Sequence, residues 1–271
     1  MSKQRLDILL VSRNLVESRE LAQRLIIAGE VSVGGHPSTK PGLKVNEDAD
    51  ITIRNRPRYV SRGGLKMEGA LNAFPVSAEG KVCLDIGAST GGFTDCLLQH
   101  GAVKVHAIDV GTNQLVWKLR QDPRVVVKEK FNARYMTPED IGEQVDLIVS
   151  DVSFISLKLA LPPALELAEP GAHCVLLVKP QFEAGRERVG KRGVVRSPEV
   201  HVDVLMSVAE HVWGSGFEVA GVTASPIRGP EGNVEFLMHL FRGGRDGLSL
   251  SVDALRDTVA RVVAEAHSQP R

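Results

Sequence analysis

The chain has 271 residues, which is enough for one large domain or two smaller ones. A hydrophobic content of 43% predicts a buried core, and no apolar run approaches the roughly 20 residues that cross a bilayer. Charges throughout the first residues argue against a signal peptide, and the scattered Cys83, Cys96 and Cys174 lack the pairing typical of metal or disulfide sites. We therefore expect a cytoplasmic protein with reduced core thiols and no metal.

The formal net charge is zero, but the charge is unevenly distributed. Residues 1–66 hold 12 Lys and Arg against 7 Asp and Glu, which leaves this segment at +5 and the remaining chain at −5. A basic segment on an acidic body is typical of proteins that bind polyanions.

The first 58 residues predict a small α+β domain. An apolar cluster at residues 6–15 indicates one helix, and Ser18 is a good N-cap for a second helix that ends at Gly29. Short alternating runs between Gly and Pro turns follow up to residue 53 and predict strands. We expect this domain to span residues 1–58.

Residues 59–65 are expected to form a linker, because the surrounding stretch RNRPRYVSRGGLK is basic and contains glycines. In the second domain, residues 66–271, apolar strand-like runs alternate with helical ones. The strand-like runs are VCLDIG, VKVHAIDVG, RVVVKEK, VDLIVSDVSF, HCVLLVKP, FEVAGVTASP and VEFLMHL. Runs of this kind are buried on both faces, so they predict an α/β fold with a Rossmann-like parallel sheet and crossover helices.

A glycine-rich turn, LDIGASTGGFT at residues 84–94, joins a predicted strand to a helix. Its glycines let a ligand approach the backbone, and Asp109 lies where doubly wound folds place a carboxylate against ribose hydroxyls. The turn lacks both the P-loop lysine and the G-x-G-x-x-G pattern of dinucleotide sites. Because Asp85 suits a cationic ligand, we favour S-adenosylmethionine; a purely structural turn and a nicotinamide or other nucleotide are the alternatives.

Charged residues of alternating sign lie near the ends of predicted elements. They are Lys66, Asp151, Lys179 and Glu235. A lysine at the end of a very apolar strand is costly unless it is paired. Each residue alone is more often a solvated or salt-bridged charge, but four charges of alternating sign across one ligand cleft are harder to dismiss.

The motifs SRGGLK, DIGASTGGFT, DVSFIS, LLVKPQFE and GNVEF together resemble the TlyA family of ribosomal RNA 2′-O-methyltransferases, also named hemolysin A. The N-terminal domain resembles an S4 RNA-binding domain, and the rest resembles an FtsJ-like methyltransferase. The resemblance implies S-adenosylmethionine as cofactor, ribosomal RNA and ribosomal subunits as partners, and cytidine in the 16S or 23S RNA, or both, as target. It also implies a catalytic Lys-Asp-Lys-Glu tetrad, which matches Lys66, Asp151, Lys179 and Glu235 with none missing.

The implied chemistry needs a group that takes the proton from a ribose 2′-hydroxyl. We expect Lys179 to be this base, because burial and the second cation Lys66 both favour an uncharged amine. Asp151 and Glu235 would orient the lysines and the hydroxyl. The residues expected at the cofactor are Asp85, Gly87, Ala88, Ser89, Gly91, Phe93, Asp109 and Asn132. For Asn132, a role in forming a turn is an equal alternative.

Basic side chains are expected to contact RNA phosphates without reading bases. They are Arg5, Arg19, Arg24 and Lys40 in the first domain, Arg54, Arg56, Arg58 and Arg62 near the linker, and Arg186, Arg188, Lys191 and Arg192 after Lys179. The last group lies in AGRERVGKRGVVRSPEV, which we expect to be a mobile loop over the RNA entrance. An aromatic content of 4% favours recognition of RNA shape and phosphates over base stacking.

Other function classes stay open at this level. A non-enzymatic RNA-binding or ribosome-assembly factor would keep the cofactor pocket, although the complete tetrad speaks against it. The hemolysin name suggests a membrane-lytic protein, but the sequence shows no membrane span, signal peptide or strongly amphipathic basic helix.

Overall fold

A computed structural model describes residues 2–16, 18–54, 57–243 and 249–268. The chain divides into two compact units, Met1–Arg58 and Tyr59–Arg271. Arg56, one of the expected RNA contacts, lies outside the described residues.

The segment 59–65, expected to be a linker, belongs to the second unit. Tyr59 is buried in an apolar cluster of that unit, and the backbone N–H of Val60 donates to Asp95 Oδ2 at 2.9 Å. The basic composition of this stretch therefore does not mark a free connection. Its buried tyrosine attaches it to the following fold.

The first unit is built from short elements. Its elements are β1 (Lys3–Arg5), α1 (Leu6–Ser12), α2 (Arg19–Ile27), β2 (Val31–Val33), β3 (His36–Ser38), β4 (Lys44–Asn46) and β5 (Ile51–Ile53). Strand β1 pairs with β4, and β2 lies between β3 and β5, all antiparallel. The predicted cap is confirmed, since Ser18 Oγ accepts from the backbone N–H of Leu21 at 3.2 Å. Gly29, just beyond α2, has a φ of +73°, a conformation that glycine adopts without strain.

The second unit alternates strands with helices along most of its length. Its elements are α3 (Gly63–Ala73), β6 (Val82–Ile86), α4 (Gly92–Gln99), β7 (Lys104–Ile108), α5 (Trp117–Arg120), β8 (Val125–Lys128), α6 (Pro138–Ile141), β9 (Val145–Ser150), α7 (Leu157–Ala160), α8 (Pro162–Leu165), β10 (Ala168–Val178), α9 (Pro180–Glu183), α10 (Pro198–Trp213), β11 (Glu218–Ala224), β12 (Phe236–Phe241) and α11 (Val252–Ser268). Single 3₁₀ turns lie at Ala133–Tyr135, Arg186–Arg188, Lys191–Gly193 and Pro230–Gly232.

Within the described residues of this unit, seven strands form one sheet in the order β11-β12-β10-β9-β6-β7-β8. The α/β class is confirmed, but the expectation of an all-parallel sheet is wrong for β12, which runs antiparallel to both β10 and β11. The reason lies in the connection. Residues 225–235 join β11 to β12 without an α-helix, and a parallel pair would need a long crossover.

Side chains of the central strands point alternately into the two layers that cover the sheet. In β10, Leu176 and Val178 pack on one face and Leu177 on the other, and all three are buried. Cys83, Cys96 and Cys174 are buried in the core, as predicted. Burial on both faces keeps the strands fixed, so that residues just after the strand ends are held on a rigid frame.

Candidate active site

Four of the predicted site residues each directly follow a parallel strand. They are Gly87 after β6, Asp109 after β7, Asp151 after β9 and Lys179 after β10. Because these strands are parallel, their carboxyl ends meet at one edge of the sheet. The sheet thus brings together residues that are spread over more than 90 positions of the chain.

The glycine turn is held in shape by Asp109. Its two carboxylate oxygens accept from the backbone N–H groups of Ser89, at 2.8 Å, and Gly111, at 2.7 Å. Gly87 has a φ of +82°, and a Cβ placed on it would lie 3.0 Å from the carbonyl oxygen of Asp151. The glycine therefore allows the turn to lie directly against the end of β9.

Among the described residues, two neighbouring cavities open at this edge. The first, of about 300 Å³, has a largely apolar wall that includes Ile108, Val110 and Phe131. The second, of about 440 Å³, has a mixed polar and apolar wall that includes basic side chains. The residues common to both walls are Gly87, Ser89, Asp151 and Ser153.

Lys179 points to this common wall. Its Nζ lies 2.5 Å from Asp151 Oδ1 and donates to Ser153 Oγ at 2.7 Å. The short distance between Lys179 Nζ and Asp151 Oδ1 makes this contact a close ion pair. The lysine is nearly buried, which strengthens both interactions by keeping water away.

Lys66 and Glu235 form a second buried pair. Lys66 Nζ donates to Glu235 Oε2 at 2.6 Å, and the lysine lies in the first turns of α3 on the wall of the larger cavity. Glu235 directly precedes β12 and lines neither of the two cavities described above. The structure thus arranges the predicted tetrad as two Lys–carboxylate pairs.

Two of the residues expected at the cofactor do not line either cavity. Asp85 is fully buried, and its Oδ2 accepts from Thr94 Oγ1 at 2.6 Å. Burial raises the pKa of this carboxyl to about 7, and the Thr94 hydrogen bond opposes the shift only in part. Gly91 lies beneath Leu119, where a Cβ would come within 2.3 Å of a methyl group. Asp85 and Gly91 therefore lie on the side of the glycine turn that faces away from the cavities, where they stabilise its shape.

The other expected cofactor residues line at least one of the cavities. They are Gly87, Ala88, Ser89, Phe93, Asp109 and Asn132. Asn132 also forms a turn, because its Oδ1 accepts from the backbone N–H of Arg134 at 3.1 Å. The two roles weighed for this residue are therefore compatible, and a contact with adenine stays a prediction.

In the first unit, Asp7 organises two of the predicted RNA contacts. Its buried carboxylate accepts from the guanidiniums of Arg5 and Arg19, each at 2.9 Å. Hydrogen bonds from Arg5 are the main reason that the pKa of Asp7 lies well below its usual range. Both arginines remain partly exposed, and Arg24 and Lys40 are exposed.

Asn233 holds the middle of the basic segment that follows Lys179, and the expected mobility of this segment stays a prediction. Buried Asn233 donates to the carbonyl of Gly193 at 3.0 Å and accepts from the backbone N–H of Val195 at 3.1 Å. Arg186, Arg188, Lys191 and Arg192 are exposed, and Arg188 forms an ion pair with Asp203. None of these four residues lines a cavity described above.

The structure adds two side chains that sequence reasoning missed. Ser153 is the hydrogen-bond partner of Lys179, and Arg228 lies on the wall of the larger cavity beside Arg62. Ser153 lies two positions after Asp151 within DVSFIS, so the motif itself carried a signal for it. Arg228 lies in a loop with no periodic pattern, and no sequence signal marked it.

No helix in the described ranges has the length and apolarity that a membrane crossing requires. The family model of FtsJ-like methyltransferases matches residues 59–242, and that of the S4 domain matches residues 4–51.

Similar proteins agree with these matches. The chain is 52% identical to the Bacillus subtilis protein YqxC, named provisionally as an rRNA methyltransferase, over 98% of this chain and 94% of that protein. It is 47% identical to the 16S/23S rRNA (cytidine-2′-O)-methyltransferase TlyA of Mycobacterium tuberculosis, over 96% and 97% of the two chains. A structure from Streptococcus thermophilus, described provisionally as a hemolysin, is 46% identical over 98% of this chain and 96% of that one, with a TM-score of 0.75. The chain therefore belongs to the FtsJ-like methyltransferase family and combines this domain with an S4 domain.

Proposed function

We propose that the protein transfers a methyl group from S-adenosylmethionine to the 2′-hydroxyl of a cytidine ribose in ribosomal RNA. The observation that carries this proposal is the ion pair between Lys179, on the wall of the larger cavity, and Asp151, on the wall common to the two cavities. A methyl donor in one cavity and a ribose in the other would meet at this pair. The M. tuberculosis relative, 47% identical, is named for this reaction in 16S and 23S rRNA.

The residues of the smaller cavity fit an adenosine-containing cofactor. Its apolar wall suits a flat adenine ring, and the backbone at Gly87 is open to close approach because it carries no Cβ. Asp109 lies on the same wall at the end of β7, the position from which ribose hydroxyls are bound in this class of fold. When bound, S-adenosylmethionine supplies a methyl group activated by a positive sulfur.

The side chains of the tetrad then have separate tasks. Lys179 acts as the base in its uncharged form: its ammonium first releases a proton to solvent, and the free Nζ then takes the proton of the ribose hydroxyl as the oxygen accepts the methyl group. Asp151 and Ser153 hold this nitrogen by an ion pair in the resting state and by a hydrogen bond. Lys66 adds a second cation to the wall of the larger cavity, and its hydrogen bond to Glu235 holds it in place. The fixed frame of strand ends keeps these groups in position before the substrate arrives, which removes an orientational cost from the reaction.

RNA binding is assigned to the S4 domain and to the exposed basic residues of the second unit. An S4 domain is an RNA-binding module, and Arg5 and Arg19 are oriented on it by the buried Asp7. Contacts of this kind reach phosphates and set the position of the RNA without reading bases.

The test is a methyl-transfer assay with tritiated S-adenosylmethionine and ribosomal subunits from cells that lack this protein. The wild-type chain should label one or both subunits, and digestion of the RNA should place the label on the 2′-oxygen of a cytidine. Lys179→Ala should reduce transfer by at least about a hundredfold while the Kd for S-adenosylmethionine, measured by calorimetry, changes little.

Lys81→Ala is the matched control, since Lys81 forms an ion pair with Asp146 away from both cavities. Its transfer rate should equal that of the wild-type chain. Binding of the cofactor and the subunits without any transfer would instead identify a non-enzymatic RNA-binding factor. Label on a base rather than on ribose would also overturn the proposal.

A further inference from the structure

The larger cavity carries a surplus of positive charge at one side of its wall. Four cations line it, namely Lys66, Lys179, Arg62 and Arg228. The two lysines are neutralised by Glu235 and Asp151, as described above. Among the described residues, neither arginine has a carboxylate partner. The surplus charge therefore resides on Arg62 and Arg228.

The two arginines are neighbours. Arg62 Nη2 donates to the backbone carbonyl of Arg228 at 2.8 Å, and Arg228 Nη2 donates to the carbonyl of Ala266, in α11, at 3.3 Å. Each guanidinium has five N–H donors, so most of them remain available in both residues. Two like charges on one wall repel each other unless an anion is shared between them. A guanidinium presents its N–H groups in a geometry that matches the oxygens of a phosphate.

Arg228 is carried by a stiff loop that also carries Glu235. Within this loop, the backbone N–H of Gly229 donates to the carbonyl of Asn233 at 2.9 Å, and that of Ser225 donates to the carbonyl of Glu235 at 2.9 Å. Gly229 itself lies against the carboxylate of Glu235, at a point where a Cβ would approach Oε1 to 2.1 Å. An anion bound at Arg228 is thereby held in a fixed relation to the tetrad.

We infer that Arg228, together with Arg62, forms a subsite for an RNA backbone phosphate next to the ribose that is methylated. This inference rests on the proposed function and deepens it. In an RNA strand, the 2′-hydroxyl and the 3′-phosphate are attached to neighbouring carbons of one ribose. Holding that phosphate at the arginines would therefore bring the hydroxyl of the same nucleotide toward Lys179.

The test compares Arg228→Ala and Arg228→Gln with the wild-type chain, using the subunit that the wild type methylates. The glutamine variant keeps a side-chain donor for the Ala266 carbonyl but lacks the charge, so it separates charge from a structural contact. We expect both variants to raise the KM for the subunit about tenfold, the size of one charge-assisted contact. The slope of log(kcat/KM) against log salt should become shallower by about one unit. The Kd for S-adenosylmethionine should stay the same.

Arg261→Ala is the control, because Arg261 is exposed on α11 and pairs with Glu265. It should leave both the KM and the salt slope unchanged. An unchanged KM in Arg228→Gln would overturn the subsite, as would a raised KM with the wild-type salt slope. If the wild-type chain transferred no methyl group at all, the proposed function would fail instead. The salt slope of subunit binding would then still decide whether Arg228 contacts a phosphate.

Discussion

Lys66 Nζ lies 2.6 Å from Glu235 Oε2, although 169 positions separate the two residues in the chain. The lysine side chain is 10% exposed and the glutamate side chain is 0% exposed. A buried charge without its partner is strongly unfavourable, so each of these two residues depends on the other. The pair connects α3 to the start of β12 beside the larger cavity.

The first prediction concerns this pair. Glu235→Gln should lower the free energy of unfolding by about 3 kcal/mol, because the buried Lys66 loses its counter-charge. Urea denaturation at neutral pH measures this difference. The double variant Lys66→Met/Glu235→Gln should be more stable than Glu235→Gln alone, since no unpaired charge remains.

The partly exposed pair Lys81–Asp146, with a distance of 3.6 Å, provides the comparison. Because water screens both of its side chains, Lys81→Ala should change the free energy of unfolding by less than about 1 kcal/mol. If Lys81→Ala and Glu235→Gln lowered the free energy of unfolding by the same amount, burial would not be what sets the strength of the Lys66–Glu235 contact.

The second prediction concerns the pH dependence of stability. Burial raises the pKa of Asp85 to about 7 from an ordinary value of 3.8. Between these values the folded state keeps a proton that the unfolded state has lost. The contribution of Asp85 to the free energy of unfolding therefore decreases as the pH rises from about 4 to about 7, and is constant above this range.

Asp85→Asn removes this ionisation but keeps a group that can accept from Thr94 Oγ1. The free energy of unfolding of Asp85→Asn relative to the wild-type chain should therefore increase with pH across the same window, by on the order of a few kcal/mol. Urea denaturation at several pH values measures it. A difference that does not vary with pH would mean that Asp85 ionises in the folded protein as it does in the unfolded chain.

The third prediction concerns Ser153, which accepts a hydrogen bond from Lys179 Nζ at 2.7 Å. Ser153→Ala should lower kcat for methyl transfer by about tenfold or more, because Lys179 loses one of the contacts that orient it. The KM for the ribosomal subunit and the Kd for S-adenosylmethionine should change little. Steady-state kinetics and calorimetry measure these quantities.

Ser207→Ala is a matched control, since Ser207 Oγ accepts from Lys158 Nζ at 2.5 Å and neither residue lines a cavity described above. Its kinetics should resemble those of the wild-type chain. A loss of affinity for the cofactor in Ser153→Ala, with kcat unchanged, would assign this serine to the cofactor site instead.

The fourth prediction concerns the salt dependence of RNA binding. If the exposed arginines and lysines contact phosphates, the affinity for ribosomal subunits should fall steeply as salt rises, since each contact releases condensed counterions. Filter binding across a salt series measures the slope. A flat response would contradict phosphate recognition, and recognition through bases would then be required.

Much of the second unit could be predicted from local sequence patterns. Largely apolar runs identified the strands, because burial on both faces leaves few polar positions within them, such as Asp85 in β6. The ends of the strands could also be predicted, because charged residues follow the apolar runs directly, at Asp109, Asp151 and Lys179. Parallel packing then requires these positions to share one edge of the sheet.

Other features depend on contacts between distant parts of the chain. Strand β12 runs antiparallel to β11 because residues 225–235 reverse the direction of the chain. The spacing of apolar residues in the sequence does not reveal this reversal. Asp85 was expected to face the cofactor, but the packing of α4 over β6 buries it against Thr94. The position of Arg228 beside Arg62 likewise results from a loop whose shape is set by hydrogen bonds of Asn233 and Glu235.

The sequence by itself determined the order of elements, the glycine turn and the types of residue at the strand ends, because these depend on backbone preference and on the period of apolar side chains. Only the tertiary structure decided which charges pair, which carboxylate loses contact with water and which arginines share a wall. Those properties depend on distance and desolvation, and both arise only when segments far apart in the chain pack against each other.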